Sequence, residues 1–198
     1  MAFESVEIHD GGEGARRWVE AGRPVVPSLV VDGRAMPILH VSQIAVALGL
    51  PVPASQRVGE LAAAIVSVLE SWLDRLRPLD FGVMTAPTAS RGRSLRNLTV
   101  NVFHPIELLP AAWTTSRFPW EPERDDEREV LLLTAGDICD YAGRALGAWS
   151  AFVRLEGEEL DARDPVIVSS RGETPFSALV DSQLRHAMFH HHQLWDQG

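Results

Sequence analysis

From residue 54 onward, apolar residues recur every three or four positions, which is the spacing of an amphipathic helix. The pattern predicts a helix over residues 55–76, a second from Ser94 to Pro110, a third over 125–155, and a fourth that opens at Thr174-Pro175. A mainly α fold with a four-helix bundle is therefore expected over residues 54–198. The predicted apolar stripes are Val58, Leu61, Ile65, Val68, Leu69, Trp72 and Leu76 on the first helix, Leu95, Leu98, Val102, Ile106 and Leu109 on the second, and Phe176, Leu179, Val180, Leu184 and Met188 on the fourth.

Prolines and capping residues set the predicted limits of these helices. Ser94 is a suitable N-cap for the second helix, which should bend near Pro105 and stop by Pro110 because each proline removes a backbone donor. An acidic turn opens the third helix, where it complements the helix dipole. In the long connection from Glu156 to Glu173, residues 166–168 are expected to pair briefly as a strand.

Residues 1–50 follow a different pattern. Residues 3–8 alternate like a strand, and residues 14–20 predict a short helix closed by Gly22. Two apolar runs, 25–31 and 34–39, flank Asp32-Gly33, a strong hairpin signal. A helix over 42–48 follows, with Gly49 at its end. The predicted order is strand, helix, hairpin, helix in a small α+β segment.

The composition narrows the function classes. The chain has 198 residues, 45% hydrophobic residues, a formal charge of −9, and no lysine among its 18 basic residues. The negative charge disfavours binding to nucleic acid. Because no apolar run approaches the roughly 18–20 residues that span a bilayer and the N-terminus lacks a signal segment, we expect a cytoplasmic protein without membrane contact. The single cysteine, Cys139, excludes an internal disulfide and is expected to be a small buried hydrophobe.

Four of the seven histidines lie within residues 186–192, on the predicted fourth helix. Residues four apart share a helix face, so His186 and His190 can direct their imidazoles at one ion. His191 and His192 are rotated away by about 100° and 200° at 3.6 residues per turn, and we expect them to face solvent or a partner. A structural or surface cluster remains the alternative to a metal site.

A tight metal site needs a third ligand, and His104 is the only histidine in the other predicted helices. It lies three residues from both Asn101 and Glu107, so the three can share a face. Three neutral imidazoles leave a dication with an open position, as in catalytic zinc sites. Nickel and copper fit the same ligands. A hydrogen-bonded core histidine is the alternative for His104. Glu107, Asp181 and Gln193 are candidates to orient the imidazoles.

Residues 54–198 resemble the DinB-like family of four-helix bundles, through His186-x-x-x-His190-x-x-Gln193 in the last helix and His104 in the second. The resemblance implies a divalent metal, zinc or nickel, held by His104, His186 and His190 at one end of the bundle. Related members use mycothiol or bacillithiol in S-transfer or isomerisation reactions. Phe189 and the His191-His192 pair depart from the common family pattern, which affects partner contacts and substrate preference but leaves the three ligands in place.

The run Val26-Pro27-Ser28-Leu29-Val30-Val31-Asp32-Gly33 resembles the later part of a glutaredoxin or thioredoxin-like domain. The resemblance makes Pro27 a candidate cis-proline. The dithiol helix of that family is missing and no cysteine precedes position 139, which excludes disulfide exchange by this segment. We expect residues 1–50 to be a truncated segment that serves docking or homodimerisation, with a thiol-binding groove beside Pro27 as the alternative.

Two function hypotheses follow. In the first, the metal activates a low-molecular-weight thiol toward a small electrophile, which makes the protein a metal-dependent thiol transferase or isomerase. In the second, the protein is a non-enzymatic metal-binding, ligand-binding or stress-response protein that acts through dimer or partner contacts.

Overall fold

A computed structural model describes residues 6, 12–22, 28–31, 34–37, 41–51, 57–88, 92–121 and 123–195. The chain divides into two compact units, residues 1–53 and 54–198. In the described residues it is mainly helical, with two small antiparallel sheets. None of the described helices is both long enough and apolar enough to cross a membrane.

The first unit contains helix α1 (Glu13–Glu20), strands β1 (Ser28–Val31) and β2 (Arg34–Pro37), and helix α2 (Val41–Ala47). The two strands pair antiparallel, with Val31 opposite Arg34, which confirms the predicted hairpin. Gly49 follows α2 with a φ of +64°, a conformation that glycine adopts without strain. The predicted strand over residues 3–8 falls, apart from residue 6, outside the described residues, and so does Pro27.

The second unit is dominated by four long helices joined by short elements. Its elements are α3 (Val58–Leu76), α4 (Phe81–Thr85), α5 (Leu95–Glu107), α6 (Leu109–Thr115), α7 (Glu123–Glu129), α8 (Ala135–Glu156), α9 (Glu159–Ala162), β3 (Val166–Ser169), β4 (Gly172–Pro175) and α10 (Phe176–Trp195). Helices α3 and α5 each pack against both α8 and α10. The apolar faces of the four long helices therefore share one core.

The predicted apolar stripes form this core almost throughout. All five positions on α5 and its continuation are buried, and so are six of the seven on α3, where Val68 is half-buried. On α10 the stripe ends early, because Met188 is 52% exposed. Two buried indoles also bond across helices: Trp72 Nε1 donates to Thr99 Oγ1 at 3.1 Å, and Trp149 Nε1 donates to the Ala62 carbonyl at 3.2 Å.

The predicted third helix is wrong as a single element, since residues 123–156 form two helices, α7 and α8. A reciprocal cap at the start of α8 explains the break. Thr134 Oγ1 accepts from the Asp137 amide at 3.1 Å, while Asp137 Oδ2 accepts from the Leu133 amide at 3.1 Å. These bonds satisfy amides that lack a partner at a helix start, which favours a new helix there over continuation of α7.

The predicted opening of the last helix at Thr174-Pro175 is also wrong, because both residues belong to strand β4. Strands β3 and β4 form an antiparallel hairpin in which Ile167 lies opposite Thr174, which confirms the brief strand and adds a partner to it. Helix α10 begins at Phe176, and the Ser177 amide donates to Asp164 Oδ1 at 2.8 Å. A carboxylate thirteen residues earlier thus caps the helix.

Backbone hydrogen bonds attach this hairpin to the connection between α6 and α7. The Phe118 amide donates to the Val168 carbonyl at 2.9 Å, and the Val168 amide donates to the Ser116 carbonyl at 2.9 Å. Arg117 and Val168 consequently form an isolated parallel β-bridge beside the hairpin. The pairing fixes the position of Trp120 relative to the hairpin tip at Arg171.

Candidate metal centre

The two histidines predicted to share a face do so on α10. The ring centroids of His186 and His190 lie 4.8 Å apart, with an angle of 77° between the ring planes. His190 is buried and His186 is half-buried. The i, i+4 spacing therefore brings the two imidazoles together at a partly buried position on α10.

His104 lies on α5 with its side chain almost completely buried, at 3% exposure. Its Nδ1 donates to Asp125 Oδ1 at 2.7 Å, and Asp125, on α7, is 2% exposed. A carboxylate accepts but does not donate, so this bond places the imidazole proton on Nδ1 and leaves the Nε2 lone pair for another partner. A carboxylate bonded to the far nitrogen is the usual support of a metal-binding histidine.

Asn101 connects this pair to α10. Its Nδ2 donates to Asp125 Oδ2 at 3.0 Å, and its Oδ1 lies 3.1 Å from His186 Nε2. Arg93 also donates to the same Oδ1, at 3.3 Å, which fixes this atom as the carbonyl oxygen. His186 Nε2 must then be the protonated nitrogen, and its lone pair lies on Nδ1. One asparagine thus sets the tautomer of His186 and orients the carboxylate that holds His104.

The surroundings keep His186 neutral. Burial lowers the pKa of this imidazole to about 3, and electrostatic coupling to His190 and to the Arg93 guanidinium acts in the same direction, against Asp125. An imidazole with that pKa is uncharged at neutral pH, which is the form that binds a metal.

The described residues contain no group of three His, Cys, Asp or Glu side chains already arranged around one point. His186 and His190 are adjacent, whereas His104 is joined to His186 through Asn101 and Asp125. The donor chemistry nevertheless fits a divalent metal of zinc type, because two imidazoles have defined lone pairs and one has a buried carboxylate behind it.

Two of the residues predicted to orient the imidazoles, Glu107 and Asp181, accept hydrogen bonds from arginines. Arg128 donates to Glu107 Oε2 at 3.3 Å, and Arg185 donates to Asp181 Oδ2 at 2.9 Å. Gln193 is half-buried on α10. The orienting carboxylate that the structure provides is Asp125, which sequence reasoning assigned only to an acidic first turn. Nothing in the local pattern distinguishes it from its exposed neighbour Asp126.

The two remaining histidines of the run differ from each other. His192 is exposed, as predicted. His191 is half-buried: its Nε2 lies 3.0 Å from Ser71 Oγ, and its ring centroid lies 6.2 Å from that of Trp72. The rotation of His191 around α10 turns it toward α3, where it contributes to helix packing.

An aromatic residue and a cation complete the surroundings of His186. The ring centroids of Trp120 and His186 are 6.5 Å apart, and the Arg171 guanidinium carbon lies 5.3 Å from the Trp120 ring centroid. Cys139, by contrast, is half-buried on α8, where burial raises the pKa of its thiol. Cys139 was expected to be a small buried hydrophobe, and it is only partly buried.

Comparison of the chain with protein-family models, with curated proteins and with solved structures finds no match in any of the three.

Proposed function

We propose that residues 54–198 form a DinB-like four-helix bundle that holds a divalent metal, zinc or nickel, through His104, His186 and His190. In this proposal the protein is a thiol S-transferase or isomerase that uses a low-molecular-weight thiol against a small electrophile. Residues 1–50 are a truncated glutaredoxin or thioredoxin-like segment that serves homodimerisation. The protein acts in the cytoplasm and binds no nucleic acid.

The hydrogen-bonded series His104, Asp125, Asn101 and His186 is the observation that carries the proposal. It gives both histidines a defined tautomer and joins α5 to α10 inside a mainly apolar core. Buried polar networks are costly to assemble unless every member is satisfied. A network that leaves two imidazole lone pairs available beside a third imidazole, that of His190, is what a metal site requires.

Asp125 and Asn101 have different roles in the proposed site. Asp125 holds His104, and its negative charge offsets part of a cation's charge. Asn101 holds the His186 ring in the metal-free protein. The His186 imidazole would have to rotate before the rings of His104, His186 and His190 could face one metal ion. A bound divalent metal would lower the pKa of a coordinated thiol, so that the sulfur reacts as a thiolate at neutral pH. In a transfer reaction the thiol proton would leave to solvent, and the sulfur would form a bond to the electrophilic carbon while the bond from that carbon to its leaving group breaks and the electron pair departs with the leaving group.

Elemental analysis of the dialysed protein tests the metal. We expect close to one equivalent per chain in the wild type, a clear loss in His104→Ala and His186→Ala, and no loss in His192→Ala, which removes an exposed histidine of the same helix. Sub-stoichiometric metal in the wild type after loading with zinc and with nickel would contradict the proposed three-histidine metal site.

Enzyme activity needs a separate measurement. Metal-loaded protein is assayed with bacillithiol, mycothiol and glutathione against a reactive electrophile, with the metal-free protein and His192→Ala as controls. The proposal expects a rate above the metal-free control with at least one thiol, and an unchanged rate in His192→Ala. If the protein binds metal but shows no rate above the metal-free control with any thiol, the proposed enzyme activity is rejected and only metal binding remains.

A non-enzymatic protein acting through dimer or partner contacts is the second candidate. Two adjacent apolar side chains on α10 favour it: Met188 is 52% exposed and Phe189 is 56% exposed. Light scattering after size exclusion would test this candidate. It expects a dimer that survives His186→Ala and is lost in Phe189→Glu, whereas a monomeric wild type, or a dimer lost together with the metal, would count against it.

A further inference from the structure

Arg171 is a half-buried cation that lacks an ion pair in the part of the chain that the structure describes. It lies in the two-residue turn of the β3–β4 hairpin, where Gly172 adopts a φ of +102°. Removing a charge from water without a partner is unfavourable. Burial accordingly lowers the pKa of this guanidinium. Such a cation is suited to an anionic ligand that brings the missing partner.

Trp120 adds a second unsatisfied donor at the same place. The Arg171 guanidinium carbon lies 5.3 Å from the Trp120 ring centroid, and the indole Nε1 is buried without a hydrogen-bond partner among the described residues. A buried N–H without an acceptor is destabilising, because the group has lost its hydrogen bond to water. A ligand that supplies an acceptor after a small movement of the Arg171 side chain would remove this cost.

A second arginine–tryptophan contact in the same unit shows what distinguishes this one. The Arg163 guanidinium carbon lies 4.3 Å from the Trp113 ring centroid, so the stacking is at least as close. There, however, Arg163 is exposed to water and Trp113 Nε1 donates to Glu156 Oε2 at 2.9 Å. Stacking alone therefore does not indicate a ligand; the missing anion and the missing acceptor at Arg171 and Trp120 do.

The location ties this pair to the candidate metal centre. Trp120 lies 6.5 Å from His186 between ring centroids, and the backbone bonds between Val168 and residues 116 and 118 hold the loop and the hairpin together. An anion at Arg171 would thus lie within a small molecule's length of the His186 imidazole.

We propose that Arg171 and Trp120 bind a carboxylate of the small molecule that reacts beside His186. The guanidinium pairs with the carboxylate, and the indole N–H donates to one of its oxygens. The statement that this molecule reacts there rests on the proposed function, whereas binding of the carboxylate does not require the metal. The ligand class is a carboxylate-bearing thiol or electrophile rather than a neutral one.

Indole N–H resonances of the metal-free protein give a direct test. The Trp120 signal is identified by its absence from Trp120→Phe, and the protein is titrated with succinate and, as the uncharged isostere, with succinamide. We expect succinate to shift the Trp120 signal and succinamide to leave it in place. Arg171→Gln should bind succinate at least about tenfold more weakly, because a charge pair is lost. Arg163→Gln is the matched control and should bind like the wild type.

An unshifted Trp120 signal in the wild type at high succinate overturns the inference, as do equal shifts in the wild type and Arg171→Gln. Circular dichroism of Arg171→Gln checks that the loss is not unfolding. Metal content measured on separate samples of the same protein, after loading with zinc and with nickel, separates the two proposals. If the protein binds succinate but takes up no metal, the carboxylate site is retained and the proposed enzyme is rejected. If it takes up metal but does not bind succinate, the carboxylate site is rejected and the proposed metal centre is retained.

Discussion

The amide nitrogen of Asn101 donates to Asp125 Oδ2 at 3.0 Å, so a neutral side chain on α5 holds a carboxylate on α7. The other oxygen of that carboxylate accepts from His104, and the other end of the amide meets His186 on α10. Three helices are consequently joined by two side chains. A change at either one should affect both histidines.

Replacing Asp125 with asparagine should weaken zinc binding by about 10–100-fold, the usual effect of removing the carboxylate behind a metal-binding histidine. The affinity is measured by competition with a chromophoric chelator. Asp126→Asn, at the exposed neighbouring position, removes the same charge and should leave the affinity unchanged. Equal losses in the two variants would point to long-range charge and contradict the role given to Asp125.

The stability of the metal-free protein should fall as the pH is lowered from about 6.5 toward 3. The folded pKa of His186 is about 3, below its ordinary value of 6.5, so the unfolded state binds one more proton in this interval. The contribution of this group is complete above pH 6.5 and decreases by up to about 1.4 kcal/mol per pH unit as the pH falls.

Urea unfolding at several pH values measures how the free energy of unfolding changes with pH. This dependence should be weaker in His186→Gln and unchanged in His192→Gln, which removes an exposed histidine. An unchanged slope in His186→Gln would show that the imidazole is already hydrated in the folded state.

Replacing Thr99 with valine should lower the free energy of unfolding by about 1–3 kcal/mol. Thr99 Oγ1 accepts from Trp72 Nε1 at 3.1 Å and donates to the Leu95 carbonyl at 2.8 Å, and both side chains are fully buried. Valine keeps the shape but leaves the indole N–H without an acceptor. Chemical denaturation measures the change. A neutral effect would mean that water reaches Trp72.

Replacing Tyr141 with phenylalanine should raise the free energy of unfolding, in contrast to the Thr99 substitution. In the described part of the chain the Tyr141 hydroxyl is buried without a hydrogen-bond partner, and burial raises its pKa above the ordinary value. Its removal should raise the free energy of unfolding by about 1 kcal/mol. The residue lines a cavity of about 280 Å³ that also includes Arg128 and Arg144. Destabilisation by this substitution would indicate that water in the cavity satisfies the hydroxyl.

Hydrophobic spacing was sufficient to predict three long apolar stripes and the adjacency of His186 and His190, because both follow from helix periodicity. Local chemistry was not sufficient at the helix ends. The break before α8 depends on a reciprocal cap between Thr134 and Asp137, and the start of α10 on a carboxylate at position 164. Neither cap changes the apolar period from which the helices were predicted.

The part of the site that sequence reasoning missed is the part that depends on tertiary contacts. Asp125 meets His104 across 21 positions, and Asn101 meets His186 across 85. Spacing along one helix identifies partners only within a turn or two. The arginine at position 171 was likewise invisible in the sequence, since its role depends on where the hairpin tip lies.

The backbone pairing of residues 116–118 with Val168 has a consequence for how quickly the site opens. Trp120 and Arg171 flank two segments whose backbones are bonded to each other, so separating them by loop motion requires breaking two main-chain hydrogen bonds. Rotation of the half-buried Arg171 side chain breaks neither bond. Entry of a small molecule should therefore require side-chain rotation and no loop opening, and the amides of Phe118 and Val168 should exchange slowly with deuterium in the free and the ligand-bound protein alike.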